Sequence, residues 1–575
     1  MLNLLGKYRR HLKSYDALLA YSLLGVVGGI ASGVIVLAFE LAIGELAALW
    51  YVGEGGEAFE TLPQWAIFGL PAGGAALLGL SYHLLSLDER ETGIIHVISR
   101  MHSHYGALPL RNALVQFAGG AFALATGQSG GREGPGVHLG GAVNSLLGQR
   151  LGLPKNSLRV LIACGTAGGI AAAFNTPLAG VIFAMEVIVA EYTVFGFIPV
   201  MLAAVSAAAV NRALSTGDAL FHIPALQLNS LLEIPFILLL GISCGIAVTA
   251  FIQVSKLAAQ ISHWPVSVKF TLAGTLTGLL GLVMPEILGI GYDTLNLILH
   301  EQQALSLLLM LALLKLLATA VSCGVGMPIG LIGPNLLIGA CIGGAVGIAS
   351  AAALPQLASD ATLYIVIGMA AAMAAVLNAP LAAILAVIEM THTVSIGMPA
   401  MLAIVAATLT NTGVFRQRSA HQTVLRQMQR VVPDDPVTQL LHRTDVTSTM
   451  DVRAVRVPTT LKAADLEPLL EFTPTWCVVS RDDEDLYAVQ GKELLEWLGD
   501  RVDEETPADL TGADIRRWTI APVPVQATLR QALDTMRAHT VEAVCVVERS
   551  RASGKRILHG IVTRESIEKF SLARL

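Results

Sequence analysis

The sequence has little charge, because Asp, Glu, Lys and Arg make up only 14% of its 575 residues. Soluble domains carry about 25% of such residues, so an ordinary soluble enzyme is excluded for most of the chain. Positive charge is not in excess, since 37 Lys and Arg stand against 43 Asp and Glu, and no nucleic-acid partner is expected. The six cysteines form no CxxC pair. We therefore expect buried thiols in a reducing compartment and no metal site.

The charge that is present lies mostly near the C-terminal end. Residues 1–430 contain 19 Lys/Arg and 19 Asp/Glu, whereas residues 431–575 contain 18 and 24. Hydrophobic residues make up 54% of the chain, and its mean hydropathy is +0.64. We therefore predict an all-α polytopic membrane domain over residues 1–430, a linker over 431–445, and a water-soluble α+β region beyond it.

Apolar stretches in the first 430 residues predict membrane helices, each of which needs about 20 apolar residues. The predicted spans are 17–46, 65–85, 114–126, 158–189, 198–210, 234–252, 270–288, 304–321, 335–353, 363–388 and 399–410. Several are short or interrupted by Gly or Pro. In a membrane such breaks survive where protein or a cavity satisfies the backbone, so they point to a transport site.

Basic residues at both ends of the membrane domain predict its orientation. They are Lys7, Arg9, Arg10 and Lys13 before the first span, and Arg416, Arg418, Arg426 and Arg430 after the last. The positive-inside bias then places both termini in the cytoplasm of a multi-pass inner (plasma) membrane protein. The first apolar segment is longer than a signal-peptide core, so we expect it to be retained.

An internal repeat divides the membrane domain into two halves. Residues 165–187 (GTAGGIAAAFNTPLAGVIFAMEV) align without a gap with residues 368–390 (GMAAAMAAVLNAPLAAILAVIEM). The alignment places Glu186 on Glu389, and a Gly/Pro-rich break precedes each copy, at 127–136 and 324–334. Two halves with paired breaks predict a two-fold repeat around a central site.

The two breaks are candidates for binding an anion. An anion in a membrane needs compensation for lost water, and helix N-termini supply free N–H groups without a buried cation. Two glycine-rich segments precede apolar runs, and they comprise Gly131, Arg132, Glu133, Gly134 and Pro135 in the first and Gly330, Leu331, Ile332, Gly333 and Pro334 in the second. Glu133 would imitate the anion and act as a gate; alternatively, it caps the helix or pairs with Arg132.

These segments resemble the CLC family of chloride channels and chloride/proton antiporters. GREGP at 131–135 matches the family signature, AAAFNTPLAG at 171–180 is close to its companion, and GLIGP at 330–334 is similar to GIFAP. The C-terminal region resembles a pair of CBS domains over 446–500 and 510–575, with GIVTRESI at 560–567. The resemblance implies a homodimer in the lipid bilayer, each subunit an inverted repeat of broken helices with its own pore, followed by a cytoplasmic CBS pair.

The resemblance also implies roles for individual residues. Glu133 is the gating glutamate, and the amides of Leu331 and Ile332 bind the central anion. The family motif GSGIP corresponds to residues 91–95, so Thr92, with Gly93 after it, would supply the hydroxyl to the anion. Glu91 and Ile95 depart from that motif, and His421 stands where the family has a pore-lining tyrosine. The departures leave chloride, nitrate and bicarbonate as candidate anions; Thr92 and Pro135 disfavour the fluoride-specific branch.

Proton coupling is the main open question in the sequence. The family's exchangers carry an intracellular relay glutamate at the position of Val187, next to Glu186. We therefore favour passive or loosely coupled passage of a small monovalent anion, with chloride as the favoured anion. The alternative is a proton-coupled antiporter in which Glu186, Glu191 or water replaces the relay. Glu186 has a structural interpretation as well, because it repeats at Glu389.

The C-terminal pair either binds an adenine nucleotide or only braces the dimer. Nucleotide sites of this kind use an aspartate after the second strand, where this chain has Glu493 and Ser566. We favour the bracing role. Strands are predicted at 476–480, 486–489, 543–548 and 557–562, and helices at 463–470, from 492, at 529–538 and at 564–570.

Two functions from other classes remain open. Residues 127–131 (GQSGG) fit the GxSxG pattern of serine hydrolases, so Ser129 could be the nucleophile of an intramembrane protease with His138, His96 or His300 as its base. A divalent-cation transporter regulated by CBS domains would need several carboxylates around one pore, and the spans contain few.

Overall fold

The computed structural model describes residues 18–50, 58–104, 106–153, 155–190, 194–214, 223, 226–300, 303–428, 440–441, 444–462, 469–470, 472–481, 484–499, 507–549 and 556–574. The basic residues predicted to flank the first span, together with Arg430, lie outside these ranges, as do most of the predicted linker 431–445 and most of the predicted helix 463–470. The chain forms two compact units, Met1–Val432 and Pro433–Leu575.

The first unit is built from helices. Those of the first half are α1 Leu18–Ala47, α2 Gln64–His83, α3 Gly93–Ser103, α4 Leu110–Ala125, α5 Glu133–Leu151, α6 Lys155–Phe174, α7 Pro177–Phe183 and α8 Val194–Leu214. Those of the second half are α9 Ile234–Ala259, α10 Val266–Val283, α11 Tyr292–His300, α12 Leu305–Gly324, α13 Ile332–Ala353, α14 Ala361–Leu377, α15 Pro380–Thr391, α16 Gly397–Thr408 and α17 Ala420–Gln427. A π-helical turn, Ala184–Val189, extends α7, and a second one, Leu409–Val414, extends α16.

The surface of this unit is suited to lipid. Within the described residues, nine helices are long and apolar enough to cross a membrane. The helix Leu18–Ala47 has a mean hydropathy of 2.3 in its most apolar window, of which only 39% is buried inside the unit. Leu19 on this helix is 75% exposed, and Trp65 on α2 is 77% exposed. A helix that is apolar on its outer face as well as its inner face is stable in a bilayer but not in water.

Two of the predicted spans are each divided into two helices. The span 158–189 breaks at Asn175 and the span 363–388 breaks at Asn378, where φ is +54° and +55°. Asparagine tolerates this left-handed conformation better than most residues, and Pro177 and Pro380 then begin the next helices. The repeated Asn-x-Pro motif is therefore the break itself.

Four helices have no counterpart among the predicted spans. Three of them are too short to cross a membrane: α3 has 11 residues, α11 has 9 and α17 has 8. Sequence hydropathy does not detect these three because it searches for lengths near 20 residues. The fourth is α5, of 19 residues, which begins within the first Gly-rich break.

Within each half, a glycine pair brings two neighbouring helices into close contact. A Cβ atom on Gly140 of α5 would lie 2.2 Å from the carbonyl oxygen of Gly165 on α6. The second half repeats this geometry, because a Cβ on Gly339 of α13 would lie 2.2 Å from the carbonyl oxygen of Gly368 on α14. Small residues allow helix backbones to approach where van der Waals contact, rather than water, drives association. The predicted two-fold repeat is therefore visible in the packing.

The second unit is α+β, as predicted. Its strands are β1 Ala454–Pro458, β2 Thr460–Leu461, β3 Trp476–Arg481, β4 Glu484–Gln490, β5 Ala508–Asp509, β6 Ile520–Pro524, β7 Ala543–Arg549 and β8 Arg556–Thr563, and its helices are α18 Gly491–Gly499, α19 Leu529–Ala538 and α20 Arg564–Arg574. Two sheets share one topology: β1 pairs parallel with β3 and β3 antiparallel with β4, while β6, β7 and β8 repeat this order. The strands β2 and β5 form a separate antiparallel pair.

Candidate functional site

The two glycine-rich breaks meet at the centre of the first unit. The amide of Gly131 donates to the carbonyl oxygen of Gly330 at 2.7 Å, and the amide of Gly330 donates back to Gly131 at 2.7 Å. A side chain would prevent this approach, since a Cβ on Gly330 would lie 2.7 Å from the amide nitrogen of Gly134. Helices α5 and α13 begin two residues after these glycines, so the contact brings their N-termini together.

Glu133 lies between these helix starts and is fully buried. Its Oε2 accepts a hydrogen bond from the amide of Gly333 at 3.2 Å, and its Oε1 accepts one from the hydroxyl of Tyr292. The space for the carboxylate is left by glycine, because a Cβ on Gly131 would lie 2.1 Å from Oε2. The carboxylate of one half of the repeat thus occupies an anion position at the helix start of the other half.

Tyr292 was missed by the sequence analysis. It is the first residue of α11 and follows Gly289 and Gly291, whose φ angles are +61° and +89°. The fully buried Lys315 holds this turn, since its Nζ donates to the carbonyl oxygens of Ile287 at 2.9 Å and Gly289 at 3.0 Å. The segment Gly-Ile-Gly-Tyr directly after an apolar span is the only signal that marks Tyr292 in the sequence.

Arg132 is directed to groups other than the Glu133 carboxylate. Its Nη1 lies 3.4 Å from Oε1 of Glu40 on α1, and its guanidinium lies 5.4 Å from the centre of the Tyr292 ring. It also donates to the carbonyl oxygen of Ala173 at 3.3 Å. Arg132 therefore forms its ion pair with Glu40, and the alternative in which it pairs with Glu133 does not match these contacts. Gly134 and Pro135 are buried in the first turn of α5.

The predicted central amides, those of Leu331 and Ile332, directly precede the Gly333 amide that contacts Glu133. Leu331 precedes α13 and is 8% exposed, while Ile332 begins the helix and is fully buried. Amides in the first turn of a helix have no partner within the helix. The amide that donates to Glu133 is that of Gly333, which was not predicted from the sequence.

Thr92 occupies the N-cap position of α3, and the next residue, Gly93, is connected to the second break through Gln116. The Thr92 side chain makes no capping hydrogen bond. The amide of Gly93 donates to Oε1 of Gln116 at 2.7 Å, and Nε2 of Gln116 donates to the carbonyl oxygen of Pro328 at 2.9 Å. Gln116 is fully buried, and it was not predicted. It connects the α3 N-terminus to the loop that leads into α13.

His421 lies in the first turn of α17, which packs against α3. Its side chain is 4% exposed, and within the described residues its Nδ1 has no hydrogen-bond partner. Ser419 caps the helix by accepting from the amide of Gln422 at 3.2 Å. Neither Thr92 nor His421 is hydrogen-bonded to Glu133 in the described part of the chain, so these two residues belong to a neighbouring region on α3 and α17.

Glu186 and Glu389 cap helices of the opposite half. Glu186 accepts from the amides of Leu381 at 3.4 Å and Ala382 at 2.9 Å, and Glu389 accepts from the corresponding amides of α7 at 3.0 Å and 2.8 Å. This exchange gives Glu186 a structural partner. Val187 lies half-buried in the π-helical turn Ala184–Val189, which packs against α3.

The groups that a serine protease would need are engaged elsewhere. The Ser129 hydroxyl lies 2.8 Å from the hydroxyl of Thr319. His138 and His96 are hydrogen-bonded to each other, and His300 bonds to the carbonyl oxygen of Asn296. In the ranges that the structure covers, no group of three or more His, Cys, Asp or Glu side chains could hold a metal ion.

Comparison with known proteins places the first unit in a family. Residues 74–412 match the family described as Voltage gated chloride channel. A protein of Ralstonia nicotianae described as a ClcB-like chloride channel protein is 32% identical over 306 residues, covering 52% of this chain and 71% of its own. The H(+)/Cl(-) exchange transporter ClcA of Vibrio vulnificus is 31% identical over 348 residues, covering 58% of this chain and 74% of its own.

A solved structure shares the fold over nearly the whole length. The crystal structure of a eukaryotic CLC transporter aligns with a TM-score of 0.60 and 20% sequence identity, covering 96% of this chain and 99% of its own. At this identity the likeness concerns the fold alone. Together with the nine apolar helices in the described ranges and the buried carboxylate at the paired helix starts, the family match makes this chain a multi-pass membrane protein for anion transport and a member of the CLC (voltage-gated chloride channel) family.

Proposed function

We propose that this protein carries chloride across the membrane, with the Glu133 carboxylate as the gate. The observation that supports this most directly is the position of Glu133, fully buried and held by an amide and a hydroxyl at the meeting point of α5 and α13. Neutral donors at helix starts bind a monovalent anion without the tight hold of a buried cation. A chloride ion therefore competes with the carboxylate for the N–H donors at the helix starts.

We further propose that chloride moves in exchange for protons. The relative from Vibrio vulnificus carries the name of such an exchanger. A carboxylate in the anion position accepts a proton when it leaves that position, and the neutral acid competes less well for N–H donors. Anion entry and protonation of Glu133 are then linked.

The experiment uses purified protein in chloride-loaded liposomes, with chloride and pH electrodes reading together. The wild-type protein is expected to move chloride outward and protons inward. Glu133→Ala is expected to keep chloride flux but to lose proton flux and pH dependence. The matched control is Glu45→Ala, because Glu45 is an exposed carboxylate on α1. An unchanged pH response in Glu133→Ala would contradict the gating role.

Passive passage is the second candidate function, and Val187 favours it. An isopropyl side chain cannot transfer a proton, and it occupies the position where the resemblance implies a relay carboxylate. Chloride flux without proton movement in the same liposomes would support this candidate. Replacing chloride with nitrate or bicarbonate in the loading buffer would identify the preferred anion.

For the second unit we propose a pair of CBS domains, residues 446–500 and 510–575, that braces a homodimer from the cytoplasm. Its two sheets have the same topology. The Ser566 hydroxyl donates to the carbonyl oxygen of Thr563 at 2.8 Å in its own helix cap, so it is engaged without a nucleotide. Isothermal titration with ATP and AMP, which is expected to give no heat of binding, tests the absence of a nucleotide site.

A further inference from the structure

A line of three ionisable side chains leads from the start of α3 into α5. Oε2 of Glu91 lies 3.9 Å from Nε2 of His96. Nδ1 of His96 lies 2.8 Å from Nε2 of His138, and the two ring centres are 5.1 Å apart. A chain of carboxylate and two imidazoles in this order presents a proton donor or acceptor at every step.

The line runs from a partly accessible end to a buried one. The Glu91 side chain is 18% exposed and that of His96 is 2% exposed, whereas His138 is fully buried. Nδ1 of His138 has no hydrogen-bond partner in the described residues. A buried polar atom of this kind is normally satisfied by an internal water molecule. His138 therefore offers a place where the line continues through water.

The buried end lies on the helix that carries the gate. His138 follows Glu133 by five positions on α5, a separation of about 7.5 Å along the helix axis. The half-buried Val187 lies in the turn that packs against α3, and it has no proton to give. Glu91, His96 and His138 supply polar groups on the α3 side of this turn.

We propose that Glu91, His96 and His138 form a proton relay that connects the start of α3 with the surroundings of Glu133. The proposal rests on the proposed exchange of chloride for protons. It assigns to this chain's own histidines the proton transfer that Val187 cannot perform. It also gives Glu91 a role in transport.

The relay conserves protons at each step. A protonated Glu91 gives its proton to Nε2 of His96, across a gap that a small side-chain movement or one water closes. The resulting imidazolium releases the proton on Nδ1 to Nε2 of His138. His138 then releases the proton on its own Nδ1 toward Glu133 through water. Each ring is left with its hydrogen on the other nitrogen and returns to the first tautomer before the next transfer.

Several other ionisable side chains on the helices that pack against α3 and α5, and on these two helices themselves, have partners of their own. The structure places Glu40 against Arg132, Glu186 against the amide of Ala382, Arg111 against Glu89, Arg100 against the carbonyl oxygen of Ala107, and His102 against the carbonyl oxygen of Ile98, while His421, Glu45, Arg150, Arg159 and Arg426 also lie on these elements. The pH profile of proton flux therefore has to be compared between relay and control variants.

The test measures chloride and proton fluxes separately with full-length protein in liposomes. His138→Gln keeps a hydrogen-bonding side chain but cannot carry a proton, and Glu91→Gln removes the acid at the other end. Both are expected to lower proton flux by about 10²-fold, the lower end of what a positioned proton-transfer group contributes, with chloride flux retained. The matched control is His102→Gln, because His102 lies on α3 and bonds to its own helix. Its fluxes are expected to equal the wild type.

The outcomes separate this proposal from the one on which it rests. Proton flux in the wild type that persists in His138→Gln and Glu91→Gln overturns the relay and leaves the exchange intact. A wild type that moves chloride but no protons overturns both. Parallel loss of chloride and proton flux in both variants overturns the relay in favour of a structural role. Selective loss of proton flux in both variants supports it.

Discussion

The hydroxyl of Tyr292 is expected to hold the gate closed, and its removal tests this role. Tyr292→Phe keeps the ring, which is 7% exposed and lies beside Arg132, but removes the donor to Oε1 of Glu133. A hydrogen bond to a charged group contributes about 1.5–3 kcal/mol. The carboxylate keeps its bond to the Gly333 amide, so the gate is weakened rather than abolished.

This loss converts into a change of chloride affinity. Chloride displaces the carboxylate, so each 1.4 kcal/mol removed from the closed gate strengthens apparent binding about tenfold. We therefore expect the apparent Kd of Tyr292→Phe for chloride to fall by up to about 10- to 150-fold, measured by isothermal titration calorimetry in detergent. Glu133→Gln, which removes the negative charge altogether, sets the ceiling of the effect.

A matched variant distinguishes the hydroxyl from the ring. Tyr82 on α2 is also buried, and its hydroxyl has no hydrogen-bond partner among the described residues. Tyr82→Phe is expected to leave the Kd unchanged. If Tyr292→Phe also left the Kd unchanged while Glu133→Gln lowered it, the hydroxyl would serve chloride and the carboxylate equally, and the reasoning would be refuted.

Three further predictions concern stability and reactivity. Glu186→Gln removes a carboxylate that caps α15 and is expected to lower the free energy of unfolding by about 1 kcal/mol, detected as a lower Tm in detergent; an unchanged Tm would show that the cap is dispensable. Lys315→Met removes the donor to the buried carbonyl oxygen of Ile287, whereas that of Gly289 keeps the amide of Gly130, so a loss of about 1–3 kcal/mol is expected in the same assay, and wild-type stability would contradict this. Burial raises the pKa of the Cys477 thiol to about 11 and that of Cys545 to about 12. Since the thiolate is the reactive form, maleimide at pH 8 is expected to label both only after unfolding in urea, as located by mass spectrometry; rapid labelling of folded protein would contradict the burial.

Local patterns in the sequence determined the class of the fold and singled out Glu133, the proposed gate. The apolar runs and the two Gly/Pro-rich breaks each extend over a few tens of residues at most, and the low charge of residues 1–430 is a matter of composition. All three can therefore be read without knowing which helices pack against each other. Glu133 could be selected because a carboxylate in an apolar glycine-rich segment is costly without a binding role. The repeat at Asn175 and Asn378 indicated two halves, and the same asparagines turned out to break the helices.

The partners of the gate were decided only by the tertiary structure. Tyr292 and Gly333 are 159 and 200 positions away from Glu133 in the sequence, and Gln116 is 212 positions from Pro328. Composition and spacing do not encode contacts at such separations. These contacts depend on how closely the two halves of the repeat approach each other, which the glycines at their meeting point allow. The same reason explains why His138 and His96 were considered as bases for Ser129 and are in fact bonded to each other. The sequence by itself determined where the helices break; the packing of one broken half against the other decided which donors face the carboxylate.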